Sequence, residues 1–458
     1  MSAFKQKLGR IGVRAGVLAA ASAAVLAISG ASASTALAAE CGSGKPSNIQ
    51  GQGSSLQRIA QEVWTGRVVP TTLGTALPHT ALTPASGYAK ECPSGTTVSY
   101  TSTSSGEGLT AFRYKGAGSI LSGGTEPEKG YSFVGSDDGP TKGEIENAES
   151  ATTGANGLII PVAETSIAVI IHPPTGCNFK SGKLHGITYK QLNEVFAGTL
   201  KEWSGFGTQV EGTCGSPITR VVREDSSGTT LQFKNYLAAL ESGQSATGPG
   251  CSLGTWAAIR EGANNTVWPE CGTPGTLSPV KRKKGGGLLA EFVHGSEGAG
   301  TIGYVALPDA KSKEAEVVRL ENTTKVEFAL PENEKASNCG ERVYTIPTVS
   351  VPGDGEGEGV IWNETFGASP TVGGTLYPLC TLTYDLAWNG YRAAGYGSSA
   401  AEATNIATDV KKYIEWYVLG TAAGLGQPAL SQHFYQPLPT ALGHNVLAAA
   451  LLAASKIS

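Results

Sequence analysis

Residues 157–171 constrain the fold of this chain more than any other part of its sequence. The segment is rich in Ile, Val and Ala and contains one proline, Pro161. Strands of parallel sheets, which are buried on both faces, have this composition. Elsewhere, strand-like segments alternate with helix-like ones, as residues 97–103 do with residues 106–115. The alternation predicts an α/β protein with mixed, mostly parallel sheets flanked by helices.

Length and composition predict a folded, soluble protein of two compact lobes. The chain has 458 residues, including 62 glycines, and is 40% hydrophobic and 16% charged. A chain of this length can bury a large core, and its glycine content is typical of many tight turns.

The first 39 residues have the order of a secretory signal peptide. Basic residues at positions 5, 7, 10 and 14 precede an apolar stretch at 15–28, and small residues end the segment at Ala36-Leu37-Ala38-Ala39. This order predicts cleavage near residues 38–40 and export to the periplasm or the cell surface. A membrane anchor is the alternative, but the apolar stretch is short for a membrane span.

All eight cysteines follow the predicted signal peptide. An even number in an exported chain suggests four disulfides, and spacing favours the local pairs 177–214 and 251–271. No Cys-x-x-Cys or histidine-spaced pair occurs, so the sequence predicts no metal site and no cofactor. The cysteines lie at positions 41, 92, 177, 214, 251, 271, 339 and 380.

The charge of the chain argues against a nucleic-acid partner. The whole chain has 34 basic and 38 acidic residues, and removal of residues 1–39 leaves a net charge of −8. Nucleic-acid binders normally carry a basic surface. The single basic run, residues 281–284, is interpreted as a solvated loop.

Four short segments combine glycine with hydroxyl or charged side chains. They are Gly-Gln-Gly-Ser-Ser-Leu (51–56), Ser-Ser-Gly-Glu-Gly-Leu (104–109), Gly-Ser-Asp-Asp (135–138) and Arg-Glu-Asp-Ser-Ser-Gly-Thr-Thr (223–230). Three of them precede helix-like stretches, where free N–H groups and the helix dipole favour an oxyanion. The remaining segment supplies a carboxylate, an unusual group to place beside an anion.

Together these motifs resemble the phosphate-binding proteins of bacterial phosphate ABC transporters, which are type II extracytoplasmic solute-binding proteins. Matching motifs occur in the family's order over roughly 400 residues, which is far more specific than any one motif. The matching segments are residues 49–56, 100–109, 133–138, 187–203, 220–237, 300–305 and 377–388.

The resemblance implies a two-lobed, periplasmic-binding-protein-like fold that closes over one phosphate. It implies an ABC transporter permease as the protein partner, and we expect a monomer. The expected division is residues 40–163 and 307–458 in lobe I, with an insertion at about 309–375, and residues 164–306 in lobe II.

The same resemblance implies the ligand residues. This chain has Ser and Leu where the family usually has Thr and Phe, which keeps the hydroxyl and the backbone donor. Asp225 corresponds to the acid that orients the family's arginine. The implied phosphate ligands are Ser55, Leu56, Ser105, Asp137, Arg223, Ser227, Gly228 and Thr229.

The chemistry of two of these residues supports the implied roles. The guanidinium of Arg223 offers a planar fork that matches two phosphate oxygens. The carboxylate of Asp137 can only accept a hydrogen bond when it is ionised. Monohydrogen phosphate has a proton to donate and sulfate at neutral pH has none, so Asp137 predicts selection against sulfate.

Three other functions remain open from the sequence. A receptor for sulfate, molybdate or tungstate is disfavoured by Asp137. A secreted phosphatase would use Ser227 or Ser55 as nucleophile, but all six histidines lie outside the four segments and no Walker motif occurs. A surface scaffold on the same fold is suggested only by the length and the cysteines.

Overall fold

A computed structural model describes most of the chain after the predicted signal peptide. The predicted signal peptide, Cys41, Cys92 and the predicted pair 251–271 lie outside the described residues. These are residues 48–66, 87–88, 97–115, 131–140, 142–150, 152–243, 255–260, 266–269, 277–322, 327–339, 375–419, 426–440 and 446–458.

Strands and helices alternate along the described residues. The strands are β1 (Asn48–Gly53), β2 (Thr97–Ser102), β3 (Phe133–Ser136), β4 (Gly157–His172), β5 (Cys177–Phe179), β6 (Val210–Gly212), β7 (Thr219–Arg223), β8 (Val280–Lys283), β9 (Thr301–Ala306), β10 (Glu316–Val317), β11 (Leu320–Glu321), β12 (Phe328–Ala329), β13 (Glu332–Asn333), β14 (Ala336–Ser337) and β15 (Cys380–Trp388). The helices are α1 (Arg58–Thr65), α2 (Ser105–Lys115), α3 (Lys142–Ser150), α4 (Tyr189–Ala197), α5 (Gly228–Gly243), α6 (Trp256–Arg260), α7 (Gly285–His294), α8 (Leu307–Ser312), α9 (Ala400–Leu419), α10 (Gln427–Leu430) and α11 (Val446–Ser455), with 3-10 turns at Trp203–Gln209 and Ser296–Gly298.

One hydrogen-bonded path of strands runs through the molecule in the order β2-β1-β3-β15-β4-β9-β7-β8. Strands β1, β2 and β3 are parallel to each other at one end, and β7, β8 and β9 are parallel at the other. Between them, β15 and β4 pair antiparallel with their neighbours. The architecture is mixed α/β, which confirms the predicted fold class.

Strand β4 joins the two ends, and its environment corrects one expectation. Its first part pairs with β15 and its second part with β9, in both cases antiparallel. The prediction of parallel neighbours, which rested on the composition of the segment, is therefore wrong. The apolar composition reflects burial, because every residue of β4 except His172 is buried. Pro161 lies at a bulge, where the register shifts between Thr383 and Tyr384 and a strand proline is tolerated.

The buried side chains form two large hydrophobic clusters and a smaller one. The first packs around β1, β3, β15 and the helices that follow them, and it includes Trp64 and Trp388. The second contains Trp203, Trp256 and Trp268. The strand β4 contributes Ala163 to the first cluster and Ile167 to the second. The lobe limits predicted near these positions stay a prediction.

A helix cap and two disulfides fix local parts of the fold. Thr188 is the N-cap of α4 and forms a capping box with Gln191. The predicted disulfide between Cys177 and Cys214 is present, and a second one joins Cys339 to Cys380. Within the described ranges, no helix is long and apolar enough to cross a membrane.

The basic run is an edge strand, so its interpretation as a solvated loop was wrong. Residues 280–283 pair with β7 as strand β8, the last strand of the path. Lys281 and Lys283 lie on the same face, since side chains alternate along a strand, and their Nζ atoms lie 4.8 Å and 4.1 Å from the ring centroid of Phe292. Lysines on an edge strand discourage pairing with another chain.

Candidate ligand-binding site

Three loops that leave the ends of parallel strands meet at one place. The loop after β1 begins at Ser54, the loop after β3 contains Asp137, and the loop after β7 leads from Arg223 into helix α5. Helix α2, which follows β2, begins at Ser105. Parallel strands present their carboxyl ends at the same edge of a sheet, which is the usual place for a ligand in α/β proteins.

The carboxylate of Asp137 is buried and surrounded by hydroxyl groups. Its Oδ1 accepts hydrogen bonds from Ser54 Oγ and from Thr383 Oγ1, the latter at 3.0 Å. Its Oδ2 accepts from Ser105 Oγ at 3.3 Å and from Thr229 Oγ1 at 3.0 Å. The structure therefore brings three predicted site residues, Ser105, Asp137 and Thr229, into direct contact.

Two opposing effects act on the pKa of Asp137. Complete burial raises the pKa, because desolvation disfavours the charged form. Hydrogen bonds from Ser54, Thr383 and Thr229 and the charge of Arg223 lower it, and burial outweighs them. The hydroxyl groups around the carboxylate and the charge of Arg223 therefore oppose its protonation.

The guanidinium of Arg223 is held from two sides. Its Nε donates to Asp225 Oδ1 at 2.9 Å, and its Nη2 donates to Asp225 Oδ2. The same Nη2 donates to Ser55 Oγ at 3.1 Å. Asp225 in turn accepts the backbone N–H of Gly285 at 2.8 Å, which fixes the carboxylate that orients the guanidinium.

The ion pair raises the pKa of Arg223 and lowers the pKa of Asp225 relative to their ordinary values. Burial would lower the pKa of Arg223, but the charge and hydrogen bonds of Asp225 outweigh it and the pKa is raised. Burial would raise the pKa of Asp225, but Arg223 outweighs it and the pKa is lowered. Both side chains are therefore charged at neutral pH, with the guanidinium aimed into the site.

The first turn of α5 packs against the loop that contains Asp137. A Cβ on Gly228 would lie 2.6 Å from the backbone nitrogen of Asp138 and 2.7 Å from the carbonyl carbon of Asp137, so only glycine fits there. The hydroxyl of Ser227 accepts the backbone N–H of Thr230 at 3.2 Å, as an N-cap does. The N–H groups of a first helical turn have no partner within the helix and are available to an anion.

Leu56 and Ser227 are less open to a ligand than the resemblance implies. The backbone N–H of Leu56 donates to Ser54 Oγ at 3.0 Å, and its side chain is buried in the first cluster. The backbone N–H of Ser227 donates to the carbonyl of Thr266 at 3.0 Å. Each group would have to share or exchange its present bond to donate to an anion.

Sequence reasoning missed several residues at this site. Ser54 lies inside one of the singled-out segments and is the neighbour of a predicted ligand. Gln232 donates to the carbonyl of Asp137 at 3.1 Å, one helical turn beyond Thr229. Thr383 lies in the middle of β15, within a matched segment, and nothing about its local sequence marked it.

A buried ion-pair cluster lies next to the site. Arg58, in the first turn of α1, is 3.2 Å from Glu62 Oε1 and 3.2 Å from Asp309 Oδ1. Asp309 belongs to α8, directly after β9. Burial raises the pKa of Asp309, and Arg58 and then Arg223 oppose the rise. The pair of Arg58 and Asp309 therefore connects a helix of the first cluster to a helix of the β9 side.

The chemistry of the site is that of anion binding. A charged guanidinium, several hydroxyl groups and a helix N-terminus supply donors, and a single carboxylate supplies an acceptor. In the part of the chain that the structure describes, no group of His, Cys, Asp and Glu is arranged to hold a metal ion. The described histidines 172 and 185 bond to Val293 and Gln209, which do not belong to the site.

Comparisons with known proteins agree with this architecture. The model of the PBP superfamily domain matches residues 68–418. The phosphate-binding protein PstS 3 of Mycobacterium leprae is 24% identical over 367 residues, which cover 79% of this chain and 80% of that protein. The phosphate-binding protein PstS 3 of Mycobacterium tuberculosis (H37Rv) is 23% identical over 439 residues, covering 94% and 96%.

A solved structure provides a comparison of the fold. The high affinity periplasmic phosphate-binding protein PfluDING, bound with phosphate, aligns with a TM-score of 0.55 and 19% sequence identity. The alignment covers 86% of this chain and 91% of that one. At this level of identity the likeness is one of fold, and it confirms the predicted fold class.

Proposed function

The chain belongs to the PBP superfamily, and we propose that it binds inorganic phosphate outside the cytoplasm and delivers it to an ABC transporter. The relatives from two mycobacteria are named as phosphate-binding proteins, and the solved neighbour holds phosphate. The ligand residues would be those implied by the resemblance, with Asp225 orienting Arg223.

One observation carries this proposal: an ionisable acceptor and a fixed guanidinium share a single buried site. Asp137 and Arg223 are 1% and 2% exposed, and each influences the pKa of the other. A buried anion needs a full set of donors to offset its lost hydration. Arg223, Ser55, Ser105 and Thr229 would be among these donors.

The acceptor sets the selectivity. An ionised Asp137 attracts the hydroxyl of monohydrogen phosphate and repels sulfate, which at neutral pH has only acceptor oxygens. Arsenate keeps a proton as phosphate does and should bind well. The same argument makes a receptor for sulfate, molybdate or tungstate the weaker proposal.

Ligand capture would follow closure of two lobes. The contacts between Arg223 and Ser55 and between Thr229 and Asp137 join loops from opposite ends of the strand path. A ligand held by both sets of loops stabilises the closed state by its differential affinity for it. The lobes would be residues 40–163 with 307–458, and residues 164–306.

The partners and location belong to the same proposal. Delivery requires permease subunits in the membrane, and one ligand per chain requires no second copy, so a monomer suffices. Two disulfides support an oxidising compartment, as expected for an exported protein. The solved neighbour is described as periplasmic.

Catalysis is a weaker explanation of the site. A phosphatase based on Ser227 would need a base close to its hydroxyl, but that hydroxyl accepts the N–H of Thr230. Ser55 is in contact with a guanidinium, which is not a base. Among the described residues no hydrogen bond joins a histidine to either serine. A scaffold role would leave the buried acceptor and donors unexplained.

Calorimetry on ligand-free protein tests the proposal. Phosphate and arsenate should bind with micromolar or tighter Kd, and sulfate should bind at least about 100-fold more weakly. Asp137→Asn should reduce the preference for phosphate over sulfate. Equal affinity for phosphate and sulfate, unchanged in Asp137→Asn, would refute the selectivity, and hydrolysis of a phosphate ester that is lost in Ser227→Ala would favour the enzyme.

A further inference from the structure

We infer that Ser54 and Thr383 are specificity-determining residues, which saturate Oδ1 of Asp137 and leave Oδ2 to accept the proton of the ligand. The inference rests on the proposed function for the identity of the ligand. It assigns a role to two residues that the sequence did not indicate, and it divides the carboxylate of Asp137 into a structural oxygen and a ligand-facing oxygen.

The two oxygens of Asp137 have different kinds of partner. Oδ1 is bonded to Ser54 and Thr383, both fully buried and both outside the implied ligand set. Oδ2 is bonded to Ser105 and Thr229, which belong to that set. The side of the carboxylate that faces the ligand donors is therefore Oδ2.

The hydroxyl of Ser54 has a fixed direction. Its oxygen receives the backbone N–H of Leu56 at 3.0 Å, and an N–H can only donate. A serine hydroxyl has a single hydrogen, which is then directed to Asp137 Oδ1. Ser54 therefore donates to the carboxylate and has no second hydrogen for a ligand.

The hydroxyl of Thr383 is fixed in the same way by an amide. Gln57 Nε2 donates to Thr383 Oγ1 at 2.8 Å and to the carbonyl of Tyr384 at 2.8 Å. Because a carbonyl only accepts, the nitrogen of Gln57 must face both groups, and its Oε1 receives Gln61 Nε2. The other acceptor near Thr383, the uncharged carbonyl of Ser136, is farther away at 3.3 Å, so the hydrogen goes to Asp137.

The two donors on Oδ2 differ from Ser54 and Thr383 in their position, because they lie at the first turns of α2 and α5, where the anion would bind. Ser105 Oγ also accepts the backbone N–H of Asp137 at 3.2 Å, and the hydroxyl hydrogens of Ser105 and Thr229 would turn toward the ligand oxygens when an anion arrives. That rotation exposes the lone pairs of Oδ2 to the P–O–H group of phosphate. Oδ1 keeps both of its donors during the exchange, so the carboxylate stays in place.

Two fixed donors also oppose the protonation of Asp137 in a buried site. Donation to the charged form lowers the pKa of Asp137 and opposes its burial, with the help of Arg223 on β7. The other titratable groups that act electrostatically with it are Tyr100 on β2 and Tyr435 before α11, both neutral because their pKa is well above the ordinary value. Without the donors, Asp137 would protonate more readily and could then donate to sulfate.

Removal of one donor at constant volume tests the inference. Thr383→Val should raise sulfate affinity relative to phosphate about tenfold or more, with a larger effect in mildly acidic buffer, because a hydrogen bond to a charged group is lost. Ser54→Ala should act in the same direction. Thr383→Ser keeps the hydroxyl and should restore the wild-type ratio.

Thr381→Val is the matched control for the strand. Thr381 is equally buried on β15, but its hydroxyl donates to the carbonyl of Leu382. This variant should leave the ratio of the phosphate and sulfate Kd values unchanged. A ratio that changes equally in Thr381→Val and Thr383→Val would overturn the inference.

Carbon-13 NMR of the Asp137 carboxyl in ligand-free protein gives an independent readout. The pKa of Asp137 should rise in Thr383→Val and in Ser54→Ala and return in Thr383→Ser. An unchanged titration in both variants would overturn the inference even if phosphate binds. If the wild type fails to bind phosphate, the proposed function fails, while a shifted titration would still support the fixed-donor role.

Discussion

Arg223 Nη2 donates to Ser55 Oγ at 3.1 Å, although 168 positions separate the two residues in the chain. Arg223 ends β7 and Ser55 follows β1, so the bond joins the two parallel ends of the strand path. The guanidinium is held from behind by Asp225 and aimed at a hydroxyl that an anion could replace as its partner.

The planar fork of Arg223 should matter more than its charge. Arg223→Lys keeps the positive charge but loses the bidentate contact with Asp225 and the direction that it imposes. We expect phosphate binding to weaken about 10- to 100-fold, since hydrogen bonds to charged groups contribute roughly 1.5–3 kcal/mol. Titration calorimetry measures the change.

Arg220→Lys serves as the control on the same strand. Arg220 is also buried, but it donates to the carbonyls of Phe196 and Ser278 and faces away from the site. Its replacement should lower the free energy of unfolding and leave the Kd for phosphate nearly unchanged. Equal losses of affinity in both variants would show that the guanidinium of Arg223 has only a structural role.

Gly228 should be intolerant of even one methyl group. A Cβ there would lie 2.6 Å from the backbone nitrogen of Asp138, across the contact between α5 and the Asp137 loop. Gly228→Ala should therefore hold the two loops apart and weaken phosphate binding at least about 100-fold, because displacements near 1 Å disrupt a preorganised site.

Gly215→Ala provides the comparison for Gly228→Ala. A Cβ on Gly215 would meet open space, and the residue is exposed. Calorimetry should find wild-type affinity for this variant. Wild-type affinity in Gly228→Ala as well would mean that the close approach of α5 is not required for binding.

The sequence was informative where a residue's role depends on its local segment. The segments around Ser55, Asp137 and Arg223 combine glycine, hydroxyl groups and charge within a few positions, and the structure brings these residues together. The Ser-Gly-Thr turn predicted the start of α5 because N-capping is a local property.

The sequence was uninformative where a role depends on distant partners. Thr383 contacts Asp137 only because β15 pairs with β3 and β4, which lie far away in the chain. The direction of the strands beside β4 could not be inferred either, because composition reports burial and not orientation. The run 281–284 was interpreted as a loop because its charge hides the alternation of an edge strand.

The ion pair between Arg58 and Asp309 should stabilise the closed state. It bridges α1 and α8 beside the site without any implied contact to the ligand. Helix α8 lies just beyond the proposed lobe limit at residue 306, but it packs with β9 of lobe II in the smaller hydrophobic cluster, so the ion pair links the two lobes. Asp309→Asn should weaken phosphate binding about tenfold through the closure equilibrium, since a loss of 1.4 kcal/mol for the closed state is a tenfold change. Small-angle scattering without ligand should show a larger radius of gyration for this variant.

Glu62→Gln removes an ion pair of Arg58 within α1 and leaves the ion pair between α1 and α8 in place. Glu62 contacts the same Arg58 at the same distance, 3.2 Å, but from within α1. This variant should change the free energy of unfolding more than the affinity. If Glu62→Gln and Asp309→Asn reduce the affinity equally, the bridge between α1 and α8 has no special part in closure.

Asp385 should make the protein less stable as the pH rises toward neutrality. Burial raises the pKa of Asp385 from 3.8 to about 7, against the hydrogen bond that Tyr417 donates. The folded protein therefore holds this proton more tightly than the unfolded chain, and its contribution to stability is complete below about pH 4 and is lost as the pH rises through about 7. Burial also raises the pKa values of Asp137 and Asp309, so these two groups change the stability with pH in the same direction.

Asp385→Asn should remove this pH dependence. Urea unfolding should show the variant more stable than the wild type near pH 8, by up to about 4 kcal/mol, with the difference shrinking toward pH 4. Tyr417→Phe keeps the ring that stacks on Trp64 but removes the donor to Asp385, so it should lower stability most at neutral pH. A constant offset between wild type and Asp385→Asn at every pH would contradict the assignment, because a group whose pKa is the same in the folded and unfolded states adds no slope.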